Sequence, residues 1–270
     1  MTGTVLRRGI ATVLVLCGTG LWAGYLDDQR MLARLAERVD GGPAASVREH
    51  FENDIHYAAH ALHDPATPAE LPAGLVRLYY RLNPLHPGPA DVVRWGSDYR
   101  GQCGSHSRVV IALLAHRGIE ARPLLILDGR GHSIHTVVEA RVDGRWVVGD
   151  PTFDLVYHRR DGQLATREDL AADTSQFHAQ VRDVPFYDPR YDYDDVALFN
   201  WKKLPVVLPA VRSALVRVMG ADRVDDIQRP WVWMRPHAFY AVACFALAVA
   251  LLLADAWWAG RNRRRAGARG

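Results

Sequence analysis

Three residues of this chain, Cys103, His135 and Asp150, could together carry out nucleophilic chemistry. The chain has three cysteines, and Cys17 and Cys244 lie within apolar stretches, which leaves Cys103 alone in the remaining polypeptide. A thiol at the start of a helix and beside an imidazole has a lowered pKa, which favours the reactive thiolate. We therefore interpret Cys103 as a nucleophile, His135 as its base and Asp150 as the carboxylate that orients the base.

The position of His135 and Asp150 around a predicted hairpin brings them together. Asp143-Gly144 separates two alternating segments, Ser133–Val142 and Arg145–Gly149, and is a strong β-hairpin signal. A loop centred on this dipeptide pairs residues whose numbers sum to 287. His135 and Asp150 are then diagonal neighbours on one face, roughly 7–8 Å apart at Cα, which an imidazole and a carboxylate can bridge.

The start of the Cys103 helix also offers groups that could bind an oxyanion. The backbone N–H of Cys103 lies in the first predicted turn, where amides have no partner within the helix. A second donor is expected from Gln102, Tyr99 or Trp95, and the sequence does not distinguish among these three.

Helical and strand patterns follow one another along the body in an order typical of an α+β fold. The patterns predict helices over 43–63, Leu71–Leu82, Cys103–Arg117 and Arg167–Ala172, a loop over Pro84–Gly101, a strand over Ala121–Leu127, and an amphipathic helix over Pro205–Met219 that lies on the domain or on the membrane surface.

The Tyr- and Asp-rich segments Phe186–Asp188 and Tyr191–Asp195 are the least regular part of the body. Their oxygen atoms lack the order of an EF-hand loop, so a calcium site is not favoured. We predict a solvated loop here.

Four segments around the candidate site resemble the transglutaminase-like superfamily of Cys-His-Asp enzymes. They are Gly101–Gly104, Leu113–Arg122, His135–Glu139 and Gly144–Thr152, and the resemblance covers about residues 95–155. It implies a transglutaminase-like (papain-like) core, with the nucleophile helix packed on an antiparallel sheet, and puts Cys103, His135 and Asp150 on the catalytic positions. The superfamily includes protein cross-linkers, peptidases and inactive members, so it implies the fold more firmly than the reaction.

Other interpretations of the same residues are open. Cys103-x-x-His106 and His132-x-x-His135 have the spacing of a zinc site. Cys103 could instead be a buried helix residue, with His135 and Asp150 as a structural pair. A catalytically inactive domain that serves as a binding or scaffold module of a cell-envelope assembly is a further alternative.

Two apolar stretches predict helices that span a membrane. Gly9–Leu26 is uncharged, and its 18 residues just cover the hydrocarbon core at about 1.5 Å per residue. Ala238–Ala254 is followed by Trp257-Trp258 and an arginine cluster, as at the cytoplasmic side of a spanning helix. A cleaved signal peptide is the alternative for the first stretch, but Leu21–Tyr25 lacks a clean small-x-small cleavage site.

The basic residues beside these stretches predict the topology. Arg7 and Arg8 precede the first stretch and five arginines follow the second, which places both termini in the cytoplasm and residues 27–236 outside it, in the periplasm or its equivalent. The formal net charge is +3, but without these seven arginines 26 basic residues stand against 30 acidic ones. Such a body does not have the charge of a nucleic-acid-binding protein.

These observations divide the chain into a membrane-anchored series of segments. The predicted segments are a cytoplasmic N-terminus (1–8), a transmembrane helix or signal anchor (9–26), a helical part of the outward-facing domain (27–94), the catalytic core (95–200), a juxtamembrane amphipathic segment (201–236), a transmembrane helix (237–258) and a basic cytoplasmic tail (259–270).

The expected activity is acyl transfer on amides through a thioacyl intermediate. Hydrolysis of a protein or peptide substrate is slightly favoured over cross-linking to an amine, because water is always present and no amine-binding feature stands out. This chemistry requires no metal and no organic cofactor. The lipid bilayer is the other expected partner, and the sequence does not define an oligomeric state.

Overall fold

The computed structural model describes residues 2–40, 46–63, 103–202, 207–228 and 235–267. Contacts divide the chain into two compact units, one made of Met1–Arg30 with Trp231–Gly270 and the other of Met31–Pro230. The described elements are α1 (Thr2–Asp40), α2 (Val47–His63), α3 (Cys103–His116), β1 (Ala121–Leu127), β2 (Ser133–Val142), β3 (Arg145–Asp150), β4 (Leu155–Val156), α4 (Arg167–Ala172), α5 (Thr174–Val181), β5 (Val196–Ala197), α6 (Val207–Met219), α7 (Ala221–Asp225) and α8 (Pro236–Gly267).

The second unit is built on a five-stranded antiparallel sheet in the order β4-β3-β2-β1-β5. Asp143 and Gly144 both have positive φ, 51° and 79°, as a two-residue turn that matches strand twist requires. The β2–β3 pairs run from Val138–Gly149 to Val142–Arg145, and the residue numbers of each pair sum to the predicted 287. The hairpin register derived from the sequence is confirmed.

One face of this sheet packs against α2 and α3. The apolar side chains of α3 are buried, among them Val109, Leu113 and Leu114. Gly149 faces α2 so closely that a Cβ atom there would lie 2.7 Å from Phe51 Cζ and 2.9 Å from Ile55 Cδ1. A side chain at position 149 would therefore push the helix away from the sheet.

The opposite face of the sheet carries the larger core. Apolar side chains of β1, β2 and β3 pack there against α4, α5 and the segments that flank β4 and β5. The buried residues of this cluster include Leu124, Ile126, Val137, Val148, Tyr157, Leu170, Phe177, Tyr193 and Leu198. By the alternation of strands, His135, Glu139 and Asp150 project from this same face. His135 and Asp150 of the candidate site therefore share one side of the sheet with the larger core, whereas Cys103 comes from α3 on the other side.

The boundaries of most predicted elements agree with the structure. The strand over Ala121–Leu127 and the helix over Arg167–Ala172 are confirmed, and the nucleophile helix ends one residue earlier than predicted, before a left-handed Gly118 (φ 74°). The helix α5 and the short strands β4 and β5 were not predicted. The predicted helix over Leu71–Leu82 and the loop over Pro84–Gly101 lie outside the described residues.

Among the described residues, two helices are long and apolar enough to cross a membrane, α1 over Val5–Glu37 and α8 over His237–Arg261, and most of both lies in the first unit. Both extend beyond the predicted segments, because charges such as Asp27 and Arg30 do not by themselves interrupt helical hydrogen bonding. Within this unit the helices are antiparallel neighbours: Arg8 Nε lies 3.2 Å from Asp255 Oδ2 at one end. At the other end His237 Nδ1 lies 2.7 Å from Asp28 Oδ2.

The predicted amphipathic helix is present over Val207–Met219, and its predicted start at Pro205 lies outside the described residues. It forms α6, none of whose residues is buried. Arg212 of α6 makes an ion pair with Asp225 of α7, with an Nη2–Oδ1 distance of 2.7 Å. Whether α6 lies on a membrane stays a prediction.

Candidate active site

Cys103 is the first residue of α3, at the end of the helix where backbone N–H groups point outward without helical partners. Its side chain is partly exposed. The thiol lies near the His135 imidazole and the backbone of Thr136, and both favour its ionised form. The Ser107 hydroxyl, one turn along α3, donates to the Thr136 carbonyl at 2.9 Å and fixes the helix against β2.

His135 and Asp150 meet across the β2–β3 hairpin as predicted. The His135 Nε2 atom lies 2.6 Å from Asp150 Oδ2, and the side chains are 2% and 0% exposed. Because Nε2 is engaged by the carboxylate, Nδ1 is the ring nitrogen left for the bond to Cys103. The imidazole therefore bridges the thiol and the carboxylate.

The start of β2 presents the histidine at an irregular point of the sheet. The β1–β2 pairing shifts between Ile126, which faces His135, and Leu127, which faces Ser133, so that Ile134 is an extra residue in β2. A bulge of this kind bends the strand and redirects neighbouring side chains. The hairpin sequence predicted the pairing of His135 with Asp150, but nothing in it predicted this bulge.

The carboxylate of Asp150 is held on both oxygens. Oδ2 contacts His135, and Oδ1 accepts the backbone N–H of Thr152 at 2.9 Å in the turn that follows β3. The orientation of Asp150 is thus fixed by the strand, by the turn and by the imidazole.

Interactions among Cys103, His135 and Asp150 change the pKa values of His135 and Cys103. Burial disfavours the charged imidazole of His135, but the charge and hydrogen bond of Asp150 outweigh it and raise the pKa of His135 to about 10. Burial likewise opposes ionisation of Cys103, but the hydrogen bond and charge of His135 outweigh it and lower the pKa of the thiol. The arrangement favours a thiolate beside an imidazolium.

Aromatic residues that the sequence did not predict as part of the site surround the imidazole. The ring of Tyr191 stacks on His135, with ring centroids 4.3 Å apart and planes 9° apart. The Phe153 ring is tilted against the imidazole, with a centroid distance of 5.7 Å. Tyr187 packs on both aromatic rings, and Tyr193 is buried in the larger core.

The prediction of a solvated loop was therefore wrong for its tyrosines. The aspartates between the tyrosines give this segment the polar composition of an exposed loop, and Asp188 and Asp192 form hydrogen bonds within the loop. The signal that could have identified the buried side is the spacing of Tyr187, Tyr191 and Tyr193, at intervals of four and two residues.

The residues of the alternative zinc site do not converge. His132 is exposed in the turn before β2, where its Nδ1 lies 3.4 Å from Asp128 Oδ2, whereas His106 is fully buried in α3. Among the described residues, no group of three or more His, Cys, Asp or Glu side chains could hold a metal ion. The candidate oxyanion donors Gln102, Tyr99 and Trp95 lie outside the described residues.

A second buried ion pair occupies the same face of the sheet. Arg122 of β1 and Glu139 of β2 are cross-strand partners, with Nε and Oε2 2.8 Å apart. The guanidinium of Arg122 lies 4.0 Å from the centre of the Trp146 ring. Burial raises the pKa of Glu139, although the charge of Arg122 opposes this shift.

Comparison with known proteins gives one match. Residues 55–151 match the model of the core domain of the transglutaminase-like superfamily, and the matched range contains Cys103, His135 and Asp150. No curated protein and no solved structure matches the chain.

Proposed function

We propose that this chain, which carries a transglutaminase-like domain over residues 55–151, is a cysteine enzyme that transfers acyl groups from amides. The observation that carries the proposal is the position of His135, whose Nε2 atom lies 2.6 Å from Asp150 Oδ2 and whose ring lies near the Cys103 thiol and lowers its pKa. In this proposal Cys103 is the nucleophile, His135 the general base and acid, and Asp150 the residue that orients the imidazole.

The first half-reaction forms a thioester. The Cys103 sulfur attacks the amide carbonyl carbon, and the thiol proton resides on His135. The tetrahedral oxyanion lies near the N-terminus of α3, where the backbone N–H of Cys103 is a candidate donor. The C–N bond then breaks as His135 delivers its proton to the leaving amine.

The second half-reaction releases the acyl group. His135, now neutral, takes a proton from water or from an amine while that nucleophile attacks the thioester carbonyl. The C–S bond breaks and the thiolate–imidazolium pair is restored. Attack by water gives hydrolysis of a peptide or protein amide, and attack by an amine gives a new amide cross-link. We favour hydrolysis because water needs no binding site.

The same proposal places the domain outside the cytoplasm on two membrane anchors. Its support is the pair of apolar helices together with the arginines beyond them, Arg7 and Arg8 at one end and Arg261 at the other. The lipid bilayer is then the partner of the first unit.

The test of the reaction is labelling of the full chain in native membranes with an electrophilic peptide. Variants with Cys17→Ala and Cys244→Ala carry Cys103 or Cys103→Ser, so that the two proteins differ by one sulfur atom. We expect an adduct that depends on Cys103 and that forms more slowly in His135→Ala. If the thiol reacts at the slow rate of an ordinary cysteine in all variants, the domain is a binding or scaffold module instead.

Substrate turnover distinguishes the two acceptors. Incubation with a glutamine-containing peptide and a tagged primary amine releases ammonia when the side-chain amide reacts and a new amino terminus when a backbone amide is hydrolysed, but only cross-linking incorporates the tag. We expect release of one of these amines without tag incorporation. Tag incorporation that matches ammonia release would assign the enzyme to amine transfer.

Topology is tested separately with a single accessible cysteine. Ser175 is exposed on α5, and Ser175→Cys in a chain without its three native cysteines gives one reporter. A membrane-impermeant maleimide should label it from the outer face of intact cells. Labelling only after the inner face is exposed would overturn the outward placement.

A further inference from the structure

Tyr191 presents a flat aromatic surface to the His135 imidazole. The rings are 4.3 Å apart at their centroids and 9° from parallel, closer and more nearly parallel than the contact of His135 with Phe153 at 5.7 Å and 51°. Tyr191 lies in the segment before β5, far in sequence from Cys103, His135 and Asp150.

The position of the Tyr191 ring is built into the fold. Its backbone N–H donates to the Asp188 carbonyl at 2.9 Å, and Tyr187 meets it edge to face at 5.5 Å. Two residues on, Tyr193 is buried between Tyr157 and Phe177. The loop is therefore anchored by a buried ring on one side of Tyr191 and by a packed ring on the other.

We infer that Tyr191 is a positioning residue, whose ring holds the His135 imidazole in the plane that joins Cys103 to Asp150 and favours its protonated form. This inference rests on the proposed function, because the form of His135 matters through the thiol beside it. The phenol does not need to touch substrate for this role.

Two physical effects support the assignment. A stacked ring restricts rotation about the Cβ–Cγ bond of His135, so that Nε2 remains directed at Asp150 and Nδ1 at Cys103. The face of an aromatic ring also carries partial negative charge and attracts a cation that lies over it. Neutral imidazole lacks this attraction, so stacking favours imidazolium and thus the neighbouring thiolate.

The charged and titratable groups that face His135 come from three elements. Cys103 belongs to α3, Asp150 to β3, and Asp188 and Tyr191 to the segment before β5. Asp188 itself pairs with Arg190, with an Oδ2–Nη2 distance of 2.5 Å. Asp150 is the group among these with the strongest effect on the protonation of His135.

The experiment measures the alkylation rate of Cys103 by iodoacetamide as a function of pH, in the full chain with Cys17→Ala and Cys244→Ala. Tyr191→Phe keeps the ring, Tyr191→Leu removes it, and the control Phe199→Leu removes a ring that packs on Trp201 after β5. We expect Tyr191→Phe to match the parent and Tyr191→Leu to react roughly three- to tenfold more slowly at neutral pH. Phe199→Leu should react like the parent.

A double-mutant cycle tests whether the effect passes through the imidazole. In a His135→Ala background, Tyr191→Leu should change the alkylation rate less than twofold (about the error of additivity for independent sites). An equal slowing in both backgrounds would show that Tyr191 acts on Cys103 by another route and would overturn the inference.

A second measurement keeps the inference separate from the proposed function. Ring-nitrogen NMR of the full chain in detergent micelles reports the protonation of His135, with its signals assigned by their loss in His135→Ala. We expect the imidazole to lose its proton at a lower pH in Tyr191→Leu than in Tyr191→Phe. An unchanged titration overturns the role of Tyr191, even where His135→Ala slows the thiol and the proposed function stands.

Discussion

Two buried ion pairs on one face of the sheet provide a natural comparison. His135–Asp150 and Arg122–Glu139 each join a cation to a carboxylate across neighbouring strands, at 2.6 Å and 2.8 Å. In the first pair the imidazole also lies beside the partly exposed Cys103 thiol, and the Tyr191 ring stacks on its face. In the second pair, the Arg122 guanidinium packs against the ring of Trp146.

The difference teaches that a buried ion pair alone does not mark a reactive site. Arginine keeps its proton under all ordinary conditions, so Arg122 can hold Glu139 but cannot exchange a proton with a substrate. Histidine can gain and lose a proton, and its second ring nitrogen can serve another group. The catalytic potential of the first pair therefore lies in the imidazole and its neighbour, and not in burial.

The largest expected effect comes from His135→Ala. Removal of the imidazole leaves Asp150 buried without its partner and Cys103 without its hydrogen bond. We expect a loss of about 3–5 kcal/mol in the free energy of unfolding, together with a roughly tenfold slower alkylation of Cys103 at neutral pH. Denaturant unfolding and timed alkylation measure the two effects.

The stability part of this prediction has a defined pH dependence. The pKa of His135 rises from an ordinary value of 6.5 to about 10 in the folded protein. The folded state thus binds the proton more tightly, and the resulting stabilisation is complete below 6.5 and disappears as the pH rises through about 10. A stability difference between parent and His135→Ala that grows over this interval would contradict the assignment.

Arg122→Met breaks the other pair and should affect stability alone. Glu139 would be left as a buried carboxylate without its nearest cation, at an expected cost of about 3 kcal/mol. The alkylation rate of Cys103 in the folded protein should equal that of the parent. The double variant Arg122→Met, Glu139→Leu is the control, and it should recover much of the lost stability because no unpaired charge remains.

Gly149→Ala tests the opposite face of the sheet, one residue from Asp150. A Cβ at this position would lie 2.7 Å from Phe51 Cζ, so we expect about 1–3 kcal/mol of destabilisation from overpacking. Because the added methyl group points towards α2, the alkylation rate of Cys103 should change little. A rate as low as that of His135→Ala would mean that the two faces are mechanically coupled.

The smallest expected effect is in the pH profile of the parent protein. An ordinary thiol gains close to tenfold in thiolate for each pH unit below its pKa. Because the pKa of Cys103 is lowered, its alkylation rate should level off at a lower pH than that of a free cysteine. An alkylation rate that rises tenfold per pH unit up to the pKa of a free cysteine would show that His135 does not activate the thiol. The two buried pairs would then not differ in reactivity.

The sequence predicted those parts of the site that depend on local rules. A two-residue Asp-Gly turn fixes the pairing of its strands, and this pairing alone brings His135 to Asp150. The helix that starts at Cys103 follows from its apolar residues and from Gly118 at its end. These features need no knowledge of distant contacts.

The missing parts depend on contacts between distant segments. Tyr191 reaches His135 only because the chain returns to pair β5 with β1, through Leu125–Ala197 and Ile126–Val196. Two-residue strands such as β5 carry no periodic signal, and aspartates between the tyrosines hide their buried side. The bulge at Ile134 likewise results from strand pairing and has no sequence marker of its own.

The antiparallel arrangement of α1 and α8 has a consequence for reporters attached to this chain. Arg8 and Asp255 mark one end of the helix pair, and Asp28 and His237 mark the other. In a bilayer, chain segments attached beyond Arg8 and beyond Asp255 would emerge into the same compartment. Two halves of a split fluorescent protein, one fused to each of these segments, would therefore reassemble within one molecule and become fluorescent.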